Sequence, residues 1–121
     1  MKILVADDSK LARLSLIKSI KGLEPHCEII EAENGLIAVE QFEKYLPSIV
    51  FLDLTMPVMD GYEALEKIIE MNSKAQVVVV TADIQSQAQA QAQVMALGAK
   101  MVIPKPISSE KMQTVLEQLV F

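Results

Sequence analysis

One cysteine, Cys27, and one histidine, His26, occur among the 121 residues. A lone thiol builds no disulfide framework within the chain and suits a reducing compartment. One Cys and one His also fall short of the four ligands of a structural zinc site. Basic residues are scarce as well. Eleven Lys and Arg stand against 16 acids, for a net charge of −5, whereas a nucleic-acid-binding surface needs them clustered and in excess. No apolar run approaches the roughly 20 residues that span a bilayer. Met1-Lys2-Ile3-Leu4-Val5-Ala6 passes straight into acids, without the longer apolar region and small-residue cleavage site of a signal peptide. The expected setting is the cytoplasm, with no membrane and no direct nucleic-acid partner.

What is present suits a folded domain. A chain of 121 residues is long enough for one hydrophobic core and too short for two, and 51% apolar with 22% charged residues is ordinary for a globular protein. The expectation is a single domain over residues 1–121.

The run Ser48-Ile49-Val50-Phe51-Leu52 is continuously apolar and stops at Asp53, with Pro57 and Gly61 close behind. Unbroken runs of this kind are strands covered on both faces, as in parallel sheets packed between helices. Asp53 either begins a turn, a common task for aspartate, or stands at the sheet edge where open α/β folds bind ligands.

The rest of the chain repeats that pattern. Lys2–Ala6 is a short apolar run ending in Asp7-Asp8-Ser9, and Leu11, Leu14, Ile17 and Ile20 then recur at helical spacing up to Gly22, a candidate left-handed cap. Cys27–Glu33 alternates like a strand with one partly exposed face. A helix is expected over Leu36–Tyr45, with Ile37, Ala38, Gln41, Phe42 and Tyr45 in one stripe and Pro47 as the stop. A third helix is expected over Tyr62–Met71 with Asp60 as its N-cap and Leu65, Ile68 and Ile69 inward; Glu63, Glu66 and Glu70 form a solvated face. Ala75–Val80 is another buried strand ending in Thr81-Ala82-Asp83.

Ser86–Leu97 contains Gln87-Ala88-Gln89-Ala90-Gln91-Ala92-Gln93, whose period of two fits neither a helical stripe nor a packed strand. Gln and Ala both favour helix, so a weakly amphipathic helix ending at Gly98 is expected, with a polar low-complexity tract as the other reading. Met101-Val102-Ile103 before Pro104 reads as an edge strand. Ser108–Val120 reads as the last helix, with Met112, Val115, Leu116 and Leu119 on one face. Five strand–helix repeats with long connections imply an α/β, doubly wound, five-stranded parallel sheet.

In such a sheet all strand carboxyl ends share one edge. Asp7 and Asp8, Asp53, Thr81 and Lys105 would meet there. Crowded carboxylates repel, and Mg²⁺, a hard cation, relieves this through one or two of them plus waters and phosphate. A carboxylate can also attack phosphorus, which gives Asp53 a nucleophile's role. Lys105 is a point cation suited to a phosphate oxygen, and the Thr81 hydroxyl can donate to another. Each alone has an ordinary explanation: Asp7 or Asp8 as an N-cap, Thr81 as a strand-end residue, Lys105 as a solvated cation between prolines. Their joint supply by four strand ends favours a site.

Val5-Ala6-Asp7-Asp8-Ser9, Leu52-Asp53-Leu54-Thr55-Met56-Pro57-Val58-Met59-Asp60-Gly61, Thr81-Ala82 and Lys105-Pro106 together resemble the receiver domain of two-component response regulators, over essentially the whole chain. The resemblance implies a flavodoxin-like (βα)₅ fold with strand order 2-1-3-4-5. It implies that Asp53 accepts a phosphoryl group from a histidine kinase, and that Mg²⁺ is held by Asp7, Asp8, Asp53 and the main-chain carbonyl of Thr55. Thr81 and Lys105 would bind the phosphoryl group, and the Lys105–Pro106 bond would be cis. Thr55, Ala82 and Asp83 would tune hydrolysis. Thr81, Val102, Lys105 and Pro106 would form the switch, read by a protein partner on the face of helix 4, strand 5 and helix 5. A phosphatase is a further partner of this kind of protein, and the oligomer would be a monomer or a phosphorylation-dependent dimer.

Three departures stand out. Family members often carry an aromatic residue at the position of Val102, so a smaller packing change would report phosphorylation here. The distance from Thr81 to Gly98 is about two residues longer than usual, across the Gln-Ala tract. No effector sequence follows the last helix, as in stand-alone receivers of the chemotaxis type, although a receiver cut from a longer protein would look the same. Two rival functions fit parts of the pattern: an aspartate-nucleophile phosphatase, which would want a second acid where Thr55 stands, and a scaffold indifferent to phosphorylation.

Overall fold

A computed structural model describes residues 1–82 and 87–119. Along the chain run β1 (Lys2–Ala6), α1 (Lys10–Leu23), β2 (Glu28–Ala32), α2 (Gly35–Tyr45), β3 (Ile49–Asp53), α3 (Gly61–Met71), β4 (Gln76–Thr81), α4 (Gln87–Leu97), β5 (Met101–Pro104) and α5 (Ser109–Gln118). The five strands form one parallel sheet in the order β2-β1-β3-β4-β5. This is the doubly wound arrangement expected from the alternation of apolar runs and helical stripes.

The period of two along each strand divides the core into two layers. Leu4, Val50, Leu52, Val77 and Val79 face a cluster completed by Ala38 and Phe42 of α2, Ala64, Leu65 and Ile68 of α3, and Ala90 and Val94 of α4. Their neighbours Ile3, Val5, Ile49, Phe51, Val78 and Val80 face Leu16 and Ile20 of α1 and Met112, Val115 and Leu116 of α5. All five residues of β3 are buried. At about 1.5–3 kcal/mol per large apolar side chain taken from water, this central strand anchors the sheet. Its last residue is a carboxylate held in place by that burial.

Four helices begin on side-chain caps: Ser9, Asn34, Asp60 and Ser108 accept from the backbone N–H three residues on. The Gln-Ala tract does form helix over Gln87–Leu97, with Ala90 and Val94 buried one turn apart. Gly98, at φ +113°, ends it as expected, its N–H donating to the Met95 carbonyl. Ser86, Asp83, Val120 and Phe121 lie outside the described residues.

Two expectations for α1 need correction. Leu11 and Leu14 are 80% and 47% exposed, and the inward line runs through Leu16 and Ile20, with Ile17 half-buried. Steps of three residues fall about 60° short of a full turn, so three such steps spread four residues around half the helix, and they cannot share one face. Gly22 does not cap the helix either. The helix continues to Leu23 and is capped at Glu24, whose φ is −129°. Pro25 supplies the stop, because the residue before a proline is driven out of helical geometry. Among the described residues no helix is long and apolar enough to cross a membrane.

Candidate metal and phosphoryl site

The register of the sheet assembles the site. Ala6 pairs with Leu52, so Asp7 and Asp53 emerge next on adjacent strands, and Thr81 pairs with Pro104, which delivers Lys105. Carboxylate oxygens of Asp7, Asp8 and Asp53 lie within 4.8 Å of one another. Asp7 and Asp53 are buried and Asp8 is exposed. Lys105 Nζ reaches across to Asp7 Oδ2 at 2.5 Å and Asp53 Oδ1 at 3.4 Å. Thr81, also buried, ends β4, and its carbonyl accepts from the Lys105 N–H at 2.8 Å. The structure therefore brings together the five residues that the strand ends supply.

The alternative that Asp7 or Asp8 caps α1 does not hold, because Ser9 does so, its side chain accepting from Ala12 N–H. Asp7 is instead tied down in every direction. Its N–H donates to the Ala32 carbonyl, its Oδ1 accepts from Ser9 N–H at 2.9 Å, and its own carbonyl accepts from Arg13 Nη1 at 2.7 Å. Arg13 also holds Glu31 at 3.0 Å. Arg13 is not among the residues that the sequence alone places at the site. Its position two turns of chain beyond Asp7 was the available signal, legible only once the helix was known to start at Ser9.

The loop after β3 depends on two close approaches. Gly61 donates to the Leu54 carbonyl, and a Cβ there would overlap the Asp53 carbonyl and Leu54 Cα. Gly35, at the start of α2, donates to the Met59 carbonyl and has equally little room. Val58 turns the chain between them at φ 68°, with Met59 N–H bonded to the Pro57 carbonyl. Only glycine lets the loop lie against Asp53 and α2 in this way. Thr55 and Ala82 are exposed beside the cluster, Val102 is half-buried in the edge strand against the α4 side of the core, and the Lys105–Pro106 bond is cis. Asp83, the remaining tuning position, is outside the described residues.

Electrostatics follow from the crowding. Burial raises the Asp53 pKa above the ordinary carboxylate value; the charges of Asp7 and Asp8 add to this and Lys105 opposes it. For Lys105, burial disfavours the charge, but the hydrogen bond to Asp7 and the charge of Asp53 outweigh it and raise the pKa. Three carboxylates face one ammonium, so the cluster carries excess negative charge. All its donors are hard oxygens, with no Cys or His among them. That set fits Mg²⁺ and suits no soft metal.

Comparison with known proteins agrees with this geometry. The family model of the response regulator receiver domain matches residues 3–117. The chemotaxis protein CheY of Listeria monocytogenes is 36% identical over 118 residues, covering 98% of this chain and 97% of that protein. CheY of Bacillus subtilis is 33% identical over 110 residues, covering 91% and 89%. Among solved structures, the CheX–CheY–BeF₃–Mg²⁺ complex from Borrelia burgdorferi matches with a TM-score of 0.88 at 30% identity, covering all of this chain and 90% of the matched one.

Proposed function

The chain belongs to the response regulator receiver domain family, and from that premise we propose that it is a phosphorylation switch whose acceptor is Asp53. The observation that carries this reading is the convergence of three carboxylates, their oxygens within 4.8 Å of one another, on a lysine that touches two of them. A histidine kinase is the proposed donor. An Asp53 carboxylate oxygen attacks phosphorus, the bond from phosphorus to the donor's nitrogen breaks, and the leaving imidazole takes the electron pair. Asp7, Asp8, Asp53 and the Thr55 carbonyl would hold Mg²⁺, which would supply the charge neutralisation that lets a carboxylate approach an anionic phosphoryl group.

The chain's own residues do the rest. Burial and the charges of Asp7 and Asp8 make Asp53 a stronger base, hence a better nucleophile than an exposed carboxylate, while Lys105 opposes that rise. In the product, Lys105 exchanges its Asp53 contact for a phosphoryl oxygen, and the Thr81 hydroxyl turns toward another. Thr55 and Ala82, exposed at the mouth, set how easily water reaches phosphorus. Movement of Thr81 is passed to Val102 and α4, altering the α4–β5–α5 face that a protein partner reads. The relative's name makes a chemotaxis output the natural candidate.

The phosphatase alternative would want an acid two residues beyond Asp53, where Thr55 stands, and Asp60 Oδ1 is engaged in capping α3. Incubation with acetyl phosphate separates the readings. In Mg²⁺ the protein should take up one phosphoryl group and lose it slowly, and EDTA should suppress uptake. Sustained turnover of a simple phosphomonoester would favour the phosphatase, and partner binding unchanged by Mg²⁺ and phosphodonor would favour the scaffold.

A further inference from the structure

Asp7 is 1% exposed, and its polar atoms are claimed from four directions: the β2 end, the α1 cap, Lys105 and Arg13. Two of these partners are main-chain groups and the third is the lysine that faces the carboxylates. The fourth is a side chain from α1 that touches no part of the cluster's carboxylates. Arg13 Nη1 donates to the Asp7 carbonyl at 2.7 Å, while its Nε donates to Glu31 Oε1 at 3.0 Å. The guanidinium is a planar fork whose two ends are both occupied, so its plane is fixed. It lies 12% exposed, against 47% for Glu31.

We propose that Arg13 is a positioning residue for the metal site: by gripping the Asp7 carbonyl and bracing itself on Glu31, it sets the Asp7 peptide plane and thereby the direction in which the Asp7 carboxylate meets a cation. This rests on reading Asp7, Asp8 and Asp53 as the Mg²⁺ site. Without Arg13 the Asp7 carbonyl loses its charged donor and turns to find water, carrying the carboxylate with it. Partners of this outer kind typically change metal affinity by about tenfold or more when removed.

The sign of the effect separates positioning from simple charge. Arg13 is a cation near a cation site, so as a mere charge its removal would tighten Mg²⁺ binding. As a positioner its removal weakens binding. The test is calorimetric Mg²⁺ titration together with amide exchange of Asp7 and Ser9 in metal-free protein. Arg13→Met should bind Mg²⁺ about tenfold more weakly and exchange both amides faster. Arg13→Gln, neutral but still a donor to the carbonyl, should stay within about threefold of wild type on both readouts. If Arg13→Met does not fold, Glu31→Ala carries the test: releasing one end of the guanidinium should weaken binding about two- to fivefold and quicken the same amides. Unchanged or tighter Mg²⁺ binding, or equal loss in the Gln and Met variants, overturns the proposal. Wild-type protein that takes up no Mg²⁺ overturns the metal reading itself, so the two failures are distinguishable.

Discussion

Asp53→Asn should take up no phosphoryl group from acetyl phosphate in Mg²⁺, a fall of more than about 10³-fold in labelling rate. The amide keeps the size and burial of the side chain but has no anionic oxygen to attack phosphorus. The same substitution should raise the melting temperature in metal-free buffer at neutral pH. Burial and the neighbouring carboxylates raise the Asp53 pKa in the folded protein. Between the unfolded and the folded value the native state holds more protons than the unfolded one, so stability falls as pH rises through that window. Above it, ionised Asp53 is a net cost, which the amide removes. Saturating Mg²⁺ should narrow the difference, because wild type gains more from the cation; at ten times Kd such a gain is about 1.4 kcal/mol. Thermal melts of both proteins with Mg²⁺ and with EDTA check this, and labelling kinetics check the first part.

Lys105→Met should act in the opposite direction on stability. Methionine fills the stem's volume but leaves Asp7 and Asp53 buried without their shared cation. Removing one partner of a buried ion pair costs about 3–5 kcal/mol. The Lys105 side chain retains 23% exposure, which places the expected loss nearer 2–3 kcal/mol by urea unfolding. The pH dependence gives the sign. The Lys105 pKa is raised on folding, so its stabilisation is complete below the ordinary lysine value, about 10.4, and is lost as pH rises through the folded value. Wild type should therefore lose stability in that alkaline window and the variant should not. On the acid side, the absence of Lys105 removes the influence that lowers the Asp53 pKa, so the variant should recover stability relative to wild type as Asp53 protonates. Labelling in Mg²⁺ should persist, in contrast to Asp53→Asn, because the nucleophile is intact.

The two variants also mark what was legible in the chain. Runs such as Ile49–Leu52 and Val77–Val80 declare buried strands, and the parallel topology that five strand–helix repeats imply is enough to put Asp7, Asp53, Thr81 and Lys105 on one edge. Less was legible where periodicity was weak or where the decisive partner lay in another element. Leu11 and Leu14 fit a helical spacing yet face water, because steps of three drift around the helix and the contacts of Leu16 and Ile20 decide which arc faces the sheet. Gly22 had the composition of a cap, but α1 runs on to Leu23 before Pro25 stops it. Arg13 was invisible as a site residue for a related reason. Its partners, the Asp7 carbonyl and Glu31, come together only when β2 pairs with β1. Val102 stands at the other extreme. Its identity already excluded an aromatic reporter, and it lies half-buried against the α4 side of the core.

The most direct measurement locates the acyl phosphate. Protein treated with acetyl phosphate and Mg²⁺ is reduced with borohydride, which converts a phosphorylated aspartate to homoserine, and the digested peptides are sequenced by mass spectrometry. The expected result is homoserine at position 53 and at no other carboxylate. Homoserine at Asp7 or Asp8, or none anywhere in protein that is folded and binds Mg²⁺, would contradict Asp53 as the phosphoacceptor.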